Sequence, residues 1–386
     1  MNRTPLLIVA SITLLLLGGG VIAYLTFRET PPAPEGEPPP ALPDTGGGAP
    51  PPADGTLPPD GLPEAGLSIR QIIDKPVLAP TTSKDGRSIY FILRENGRLM
   101  TSGLDGAGET ALTTVTVPEA FDAAWSPLKT KALITYHENG TVKRFLEETA
   151  TTTPSRFLPQ ALTSFAWSPD GKSMAYLLRE PSRTTLVIAD QNGKNIRTVF
   201  STPIPDLTVQ WASPAAILLV SRPSGLAPSI VLRFDVKTKR TSPLLAGTYG
   251  LTVLPKPDGS GFAFSRTSPS GQAEPVAMYT FADGRTAPLR TTTMVEKCAF
   301  SPDSKRLYCG VPREALPRPM PDLWYRGQVS FSDAIVELDL AANQMRTLVA
   351  DAVDVDVTSP VVSPDGSHLF FVDKKTGTLW RVILEQ

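Results

Sequence analysis

Residue types that carry metal or nucleophilic chemistry are scarce in this sequence of 386 residues. It contains two histidines, His137 and His368, which lie far apart, and two cysteines, Cys298 and Cys309. Zinc sites need clustered histidine and cysteine side chains, and this spacing offers none. The Gly-x-Ser-x-Gly motif of an α/β-hydrolase nucleophile is also missing. We therefore predict no catalytic residue, no metal and no cofactor, in a chain that is not an enzyme.

Carboxylates recur in two patterns that resemble functional sites. Asp354 and Asp356 lie close together, but the glycine and the terminal glutamate of a calcium loop are absent. We expect this pair to lead into a solvated strand at a sheet edge. In the second pattern an aspartate follows the first residues of a turn, where its side chain hydrogen-bonds the local backbone. We expect a structural role for these residues, which are Asp170, Asp258, Asp303 and Asp365.

These aspartates belong to a unit that repeats along the chain. Its clearest copy is Trp167-Ser-Pro-Asp-Gly171, and each copy continues into a run of β-forming residues. Proline in the second position and glycine in the fourth are typical of a β-turn. Successive copies are 43, 42, 45, 43, 45 and 62 residues apart, which indicates seven units and one insertion. The proline position is occupied by Lys84, Pro127, Pro169, Pro214, Pro257, Pro302 and Pro364.

Four short strands in each unit are typical of a propeller blade. The motif aromatic-Ser-Pro-Asp-Gly resembles the PD40 (WD40-like) repeat of TolB-type propellers and of the propeller domains in tricorn and prolyl-oligopeptidase-type peptidases. The resemblance covers residues 67–386. It implies an all-β fold, a seven-bladed β-propeller of four-stranded antiparallel blades. The second domains of those families are missing, which favours a scaffold or a binder.

The repeated units must pack against one another and close into a ring. Trp125, Trp167 and Trp211 share the position before the turn, and this recurrence predicts packing between neighbouring units. The last unit has only three strands before the sequence ends. We predict that residues 67–73 supply its fourth strand, because an open ring would leave unpaired strand edges.

The two cysteines fall within one unit. Cys298 lies four residues before Pro302, and Cys309 lies seven residues after it. Other units carry apolar residues in these positions, which should face each other across a hairpin at a Cβ separation of about 5 Å. We predict a disulfide between them, since cysteines outside the cytoplasm are often oxidised. The alternative is a pair of buried free thiols.

The N-terminal 66 residues differ in composition from the repeats. Residues 1–4 are predicted to be cytoplasmic, and residues 5–27 form an apolar run long enough to span a membrane. Arg3 precedes this run, which favours a single-pass anchor with the C-terminal domain outside the cytoplasm. A cleaved signal peptide is the alternative. Residues 28–66 are rich in proline, glycine and acidic side chains, and are predicted to be a disordered linker.

The insertion at residues 312–333 separates the second and third strands of the sixth unit. It contains Trp324, Tyr325 and Arg326, residue types that are enriched where proteins bind partners. We predict that a partner binds there; alternatively, the aromatic side chains fold back onto the propeller.

The predicted function is therefore a membrane-anchored, extracytoplasmic scaffold that binds an unknown protein or glycan of the cell envelope, without catalysis. Two alternatives stay open, which are an enzyme that uses the central channel of the propeller and a structural protein associated with the cell wall. The net charge of −1 argues against nucleic acid as a partner.

Overall fold

The structure, a computed structural model, describes residues 69–149 and 156–384. No helix in these residues is long and apolar enough to cross a membrane. The predicted transmembrane segment at residues 5–27 and the predicted linker at residues 28–66 lie outside the described part of the chain.

The described residues form antiparallel β-sheets, which we number I to VI along the chain. Sheet I contains β2 (Val77–Thr82), β3 (Ser88–Leu93), β4 (Leu99–Gly103) and β5 (Thr110–Ala111). Sheet II contains β6 (Ala120–Trp125), β7 (Lys131–Glu138), β8 (Thr141–Glu148) and β9 (Arg156–Phe157). Sheet III contains β10 (Leu162–Trp167), β11 (Ser173–Glu180), β12 (Arg183–Asp190) and β13 (Arg197–Thr202).

Sheet IV is larger, with seven strands. They are β14 (Leu207–Ser213), β15 (Ala216–Ser221), β16 (Pro228–Asp235), β17 (Thr241–Pro255), β18 (Gly261–Thr267), β19 (Ala277–Thr280) and β20 (Thr286–Pro288). The first part of β17 pairs with β16 and the second part pairs with β18, so sheet IV consists of two four-stranded groups that share one long strand.

Two further sheets complete the fold. A 3-10 turn (Val295–Lys297) precedes sheet V, which contains β21 (Cys298–Phe300), β22 (Arg306–Pro312), β23 (Asp333–Asp339) and β24 (Gln344–Val349). Sheet VI contains β25 (Val357–Val362), β26 (His368–Asp373) and β27 (Leu379–Ile383), and its fourth strand is β1 (Ile69–Ile73).

The sheets pack face to face around a common axis. Leu177 of sheet III packs against Ile217 of sheet IV in one apolar cluster, and Phe370 of sheet VI packs against Val77 of sheet I in another. The first strands lie next to one another, since β2 contacts both β6 and β25. This arrangement is a β-propeller, in which the first strands of the sheets line a central channel.

The turn between the first and second strands explains why the repeats fold alike. In sheet III the N–H of Gly171 donates to the carbonyl of Ser168 at 2.8 Å, and Gly171 has a φ of +69°. The carboxylate of Asp170 accepts hydrogen bonds from the Lys172 N–H at 3.0 Å and from the Ser168 hydroxyl at 2.6 Å. The other repeated aspartates accept equivalent backbone bonds, which confirms their structural role; these are Asp258, Asp303 and Asp365.

The predicted packing of the repeated tryptophans is confirmed. The indole N–H of Trp125 in sheet II donates to the carbonyl of Ala79 in sheet I at 2.8 Å. Trp167 in sheet III makes the same contact with Ala124 in sheet II at 3.3 Å. Trp211 packs in the apolar cluster between sheets III and IV. These side chains therefore connect each sheet to the one before it.

Residues from the two ends of the described chain meet in sheet VI. Strand β1 pairs with β27 in antiparallel register, with Ile69 opposite Val382. Ile73 is 1% exposed and packs in the cluster between sheets VI and I. In sheet V, Cys298 lies opposite Cys309, and the two residues form a disulfide.

Candidate site at the mouth of the central channel

The insertion between β22 and β23 folds over the loops at one end of the propeller. It contains a short helix, α1 (Asp322–Tyr325). The carboxylate of Asp322 accepts hydrogen bonds from the Ser224 hydroxyl at 2.9 Å and from the Gly225 N–H at 2.6 Å. The N–H of Met320 donates to the carbonyl of Gly271 at 3.3 Å. The insertion of sheet V is thus attached to two loops of sheet IV.

Trp324, the central residue of the predicted partner surface, faces inward. Its side chain is 3% exposed, and its indole N–H donates to the two carboxylate oxygens of Asp356 at 3.1 and 3.0 Å. Trp324 is therefore not part of an exposed partner surface, because its ring is buried and its N–H is already hydrogen-bonded. Tyr325 is 43% exposed and Arg326 is exposed, so these two residues remain candidates.

A buried ion cluster lies beneath Trp324. The ammonium group of Lys297 contacts Asp333 Oδ2 at 2.6 Å and also contacts Asp356 Oδ1, and all three side chains are 0% exposed. Asp333 Oδ2 also accepts a hydrogen bond from the Val357 N–H at 2.7 Å. Burial raises the pKa of the Asp333 carboxyl to about 6, although Lys297 acts in the opposite direction.

This cluster corrects the expectation for the Asp354–Asp356 pair. Asp356 is 0% exposed and belongs to the ion cluster, so the prediction of a solvated position is wrong for it. The side chain of Asp354 is 70% exposed and forms an ion pair with Lys375 at 2.5 Å. Alternate residues of an extended segment point to opposite sides, which places one carboxylate inside and the other outside.

The other side of α1 borders an open cavity of about 370 Å³, which we call the Tyr325 cavity. The hydroxyl of Tyr325 donates a hydrogen bond to Glu296 Oε1. Glu296 Oε2 accepts a second hydrogen bond from the Thr252 hydroxyl at 3.0 Å. The walls come from first strands, the ends of second strands and the insertion, and include Thr208, Gln210, Arg222, Thr252, Glu296 and Tyr325.

The ionisable groups of the Tyr325 cavity have shifted pKa values. Burial raises the pKa of the Glu296 carboxyl, and the hydrogen bonds from Tyr325 and Thr252 only partly oppose this. Burial and the nearby Glu296 carboxylate raise the pKa of Tyr325 well above its usual value. The two groups therefore form a hydrogen-bonded pair in which Tyr325 keeps its proton at neutral pH.

Two further polar side chains in this cavity have unused hydrogen-bonding capacity. Gln210 donates through its amide nitrogen to the carbonyl of Val253 at 3.0 Å, but its buried Oε1 has no partner among the described residues. Arg222 is exposed and has no carboxylate partner within ion-pair distance in residues 69–149 and 156–384. Buried polar atoms are normally paired, so the unpaired oxygen of Gln210 is a candidate acceptor for a ligand.

The sequence motifs pointed to the insertion but not to Glu296, Lys297 or Asp333. One signal was present in the repeats, because Lys297 lies four residues before the turn residue Ser301. Five other units have smaller residues or a short carboxylate in that position, which are Ala79, Asp122, Ser164, Thr252 and Ser359. A long cation at one position of an otherwise small or short set indicates a specific buried partner.

Comparison with known proteins supports the fold. No protein-family model matches the chain, and no curated protein matches it in sequence. Among solved structures, the oligogalacturonate lyase of Vibrio parahaemolyticus is 10% identical, with a TM-score of 0.59 over 84% of this chain and 95% of that one. An oligogalacturonate lyase in complex with manganese gives 11% identity and a TM-score of 0.59, over 83% and 94% of the two chains. TolB from Acinetobacter baumannii is 13% identical, with a TM-score of 0.41 over 80% of this chain and 79% of that one.

The comparison overturns the prediction that this chain is not an enzyme. That prediction was based on missing catalytic motifs and on the absence of a second, catalytic domain. The aligned region covers 95% of a lyase, so this fold supports catalysis without such a domain. At 10% identity the similarity shows the fold alone.

The described residues offer no site for the manganese of the similar lyase complex. The described residues contain no group of three or more His, Cys, Asp or Glu side chains placed to hold a metal ion. The two most deeply buried carboxylates of the site, Asp333 and Asp356, are already bound by the ammonium group of Lys297. The donor set does not fit a manganese site, which needs several oxygen or imidazole ligands.

Proposed function

We propose that this chain is an enzyme that performs acid–base chemistry on a polar ligand bound in the Tyr325 cavity. The observation that carries the proposal is the hydrogen-bonded pair of Glu296 and Tyr325 in the cavity wall. A carboxyl group with a raised pKa in an open cavity is typical of acid–base sites. The amide, hydroxyl and guanidinium groups of the lining favour a ligand rich in hydroxyl groups, such as a sugar.

The directions of the pKa shifts suggest the role of each residue. Tyr325 stays protonated, so it acts as a hydrogen-bond donor that positions the Glu296 carboxylate. Glu296 is the group that takes up a proton from the ligand, and its raised pKa brings it closer to neutral pH, where a general base is most effective. Because the base must be deprotonated, the reaction rate should rise with pH through the raised pKa of Glu296.

The test uses the full chain and a panel of neutral and acidic oligosaccharides, including oligogalacturonate, which the names of the two similar lyases specify. Mass spectrometry of the sugars measures turnover. We expect Glu296→Gln to reduce turnover of the reacting sugar by about 100-fold or more, without a change in melting temperature. The control Glu180→Gln, at an exposed carboxylate of sheet III, should behave like the unmodified chain. Full activity of Glu296→Gln, or no turnover of any sugar, contradicts the proposal.

A second candidate is binding of a protein or glycan of the cell envelope at the same end of the propeller. It is favoured by two exposed apolar side chains, Leu226 at 66%, which follows the Gly225 that binds Asp322, and Tyr325 at 43%. Arg326 adds an exposed cation next to them. The substitution Leu226→Glu should abolish recovery of the partner from crosslinked envelopes, whereas Leu226→Met should preserve it. Equal recovery with both variants contradicts this candidate.

We also propose that the ring has seven blades, five from the four-stranded sheets and two from sheet IV. The proposal is supported by β17, whose 15 residues serve both groups of that sheet. Each group of four strands packs on its neighbours through a separate apolar cluster, including the cluster between the two halves of sheet IV.

We further propose that residues 5–27 anchor the chain in a membrane and that residues 28–66 connect the anchor to a propeller outside the cytoplasm. The apolar run and Arg3 support this orientation. The Cys298–Cys309 disulfide supports an oxidising compartment. Alkaline carbonate extraction and protease treatment of intact spheroplasts test the proposal. Release of the chain by carbonate, or protection of the propeller from protease, contradicts it.

A further inference from the structure

A second cavity lies at the same end of the channel, on the side of sheets VI, I and II. Its volume is about 240 Å³, and we call it the Arg94 cavity. Its walls come from the beginnings of β25, β2 and β6, and from the loops that follow β3 and β26. Lys374 of this cavity lies 5.1 Å from the centre of the Trp324 ring. The two cavities therefore meet the insertion at consecutive residues, Trp324 and Tyr325.

The Arg94 cavity contains two cations without carboxylate partners. Arg94 is exposed and Lys374 is half-buried, and neither is within ion-pair distance of a carboxylate among the described residues. The hydroxyl groups of Thr358 and Ser359 lie in the same wall. Guanidinium, ammonium and hydroxyl groups together offer hydrogen-bond donors to an anion.

The lining also contains two carboxylates, Asp373 and Asp122. Asp373 accepts hydrogen bonds from the N–H groups of Asp356, Lys375 and Thr376, and from the Thr376 hydroxyl. Three of these four donors belong to the turn that follows Asp373, and the fourth is the N–H of Asp356.

The second carboxylate is Asp122; burial raises its pKa, and the cation that opposes this shift is Arg144, which is not part of the lining. Neither Asp373 nor Asp122 forms an ion pair with Arg94 or Lys374, so the positive charge of the cavity remains available to a ligand.

The backbone of this cavity is strained at two equivalent positions. Ala79 and Ser359 have φ values of +46° and +50°, and both line the cavity. Each precedes a proline, and each lies where the pairing of its strand with the next is interrupted. Non-glycine residues in this conformation are unfavourable and concentrate at functional sites, as do bulges in strands. The same irregularity occurs in the first strands of two neighbouring sheets, and it shapes one cavity.

We propose that the Arg94 cavity is a binding site for an anionic group, a carboxylate, phosphate or sulfate, which Arg94 and Lys374 bind. This goes beyond the proposed acid–base reaction and does not depend on the role of Glu296. The site borders the insertion, since Lys374 lies beside the Trp324 ring.

The test titrates the full chain with sodium acetate, phosphate and sulfate at constant ionic strength set with chloride. Binding is followed by the tryptophan fluorescence of the chain, to which Trp324 beside Lys374 contributes. We expect saturable binding of at least one of the three anions, and the tightest of them identifies the group as carboxylate, phosphate or sulfate. The substitution Arg94→Gln should weaken binding by about tenfold.

Two control variants separate this proposal from the others. Arg197→Gln, in the outermost strand of sheet III, should bind the anion unchanged, since Arg197 is exposed and remote in the fold. Tyr325→Phe should also bind it unchanged, so failure of the proposed acid–base reaction leaves this result intact. No saturable binding of any anion overturns the proposal. Equal binding by Arg94→Gln and the unmodified chain also overturns it, and means an adventitious ion only.

Discussion

Replacing Lys297 by methionine tests whether the buried ion cluster holds the insertion in place. The substitution keeps an unbranched apolar side chain and removes the ammonium group. It leaves Asp333 and Asp356 facing each other with no cation, although their side chains are 0% exposed. Removal of one partner from a buried ion pair costs about 3–5 kcal/mol, because the remaining charge is neither solvated nor neutralised.

The expected loss depends on pH, and its direction follows from Asp333. In the folded chain its pKa is raised from 3.8 to about 6, so the folded state binds this proton more tightly than the unfolded state. The contribution of Asp333 to the free energy of unfolding is therefore greatest in acid and decreases as the pH rises from about 4 to 6. Without Lys297 the pKa rises further, because the cation that lowers it is gone. The Lys297→Met variant should therefore lose the full amount of unfolding free energy, about 3–5 kcal/mol, at pH 8 and less at pH 5.

Urea denaturation at pH 8 and pH 5, followed by tryptophan fluorescence, measures these free energies. The control Lys75→Met removes a cation from an exposed ion pair with Glu109 and should unfold like the unmodified chain. The combined variant Lys297→Met, Asp333→Asn, Asp356→Asn removes both stranded charges and should recover part of the loss. A loss below about 1 kcal/mol at pH 8, or a loss that grows in acid, would refute the reasoning.

Three further predictions concern the elements around this cluster. Trp324→Phe keeps the buried ring but removes its hydrogen bonds to Asp356, and should reduce the free energy of unfolding by about 1–3 kcal/mol in urea denaturation; an unchanged value would show that these bonds contribute nothing. Alkylation without reductant should modify neither Cys298 nor Cys309, and two alkylated cysteines in the mass spectrum would exclude the bond. Replacing both cysteines by serine should reduce the free energy of unfolding by about 3 kcal/mol, since the disulfide joins residues that are 11 positions apart. Deleting residues 69–73 should lower the melting temperature markedly in calorimetry, because β27 keeps only β26 as a partner and Ile73 leaves the core. An unchanged melting temperature would show that β1 does not stabilise the ring.

Much of the fold could be predicted from the sequence because its determinants are local. The turn at Ser168–Gly171 is formed by residues adjacent in sequence, and its proline and glycine specify its backbone angles wherever it recurs. The repeat therefore indicated the strands and the position of the insertion. The length of β17 could not be predicted, because an uninterrupted strand and two strands joined by a short bend have the same apolar pattern.

The candidate site was only partly predictable because its contacts join distant residues. Lys297 and its partners Asp333 and Asp356 are 36 and 59 residues apart. No local pattern indicates that these side chains meet. Trp324 and Tyr325 are neighbours of similar type, and their opposite orientations depend on two acceptors from other segments, Asp356 and Glu296. Residue type predicted an aromatic site, but the assignment of one ring to the core and the other to the cavity required the fold.

The pairing of β1 with β27 has a mechanical consequence. β1 is the outermost strand of sheet VI, and residues before Ile69 continue directly from it. A pulling force applied to those residues is carried first by the hydrogen bonds between β1 and β27, beginning at the Ile69–Val382 pair. The same bonds join the first strand of the described chain to the last. A load large enough to peel β1 away therefore also opens the ring, so under tension detachment and unfolding would begin as a single event.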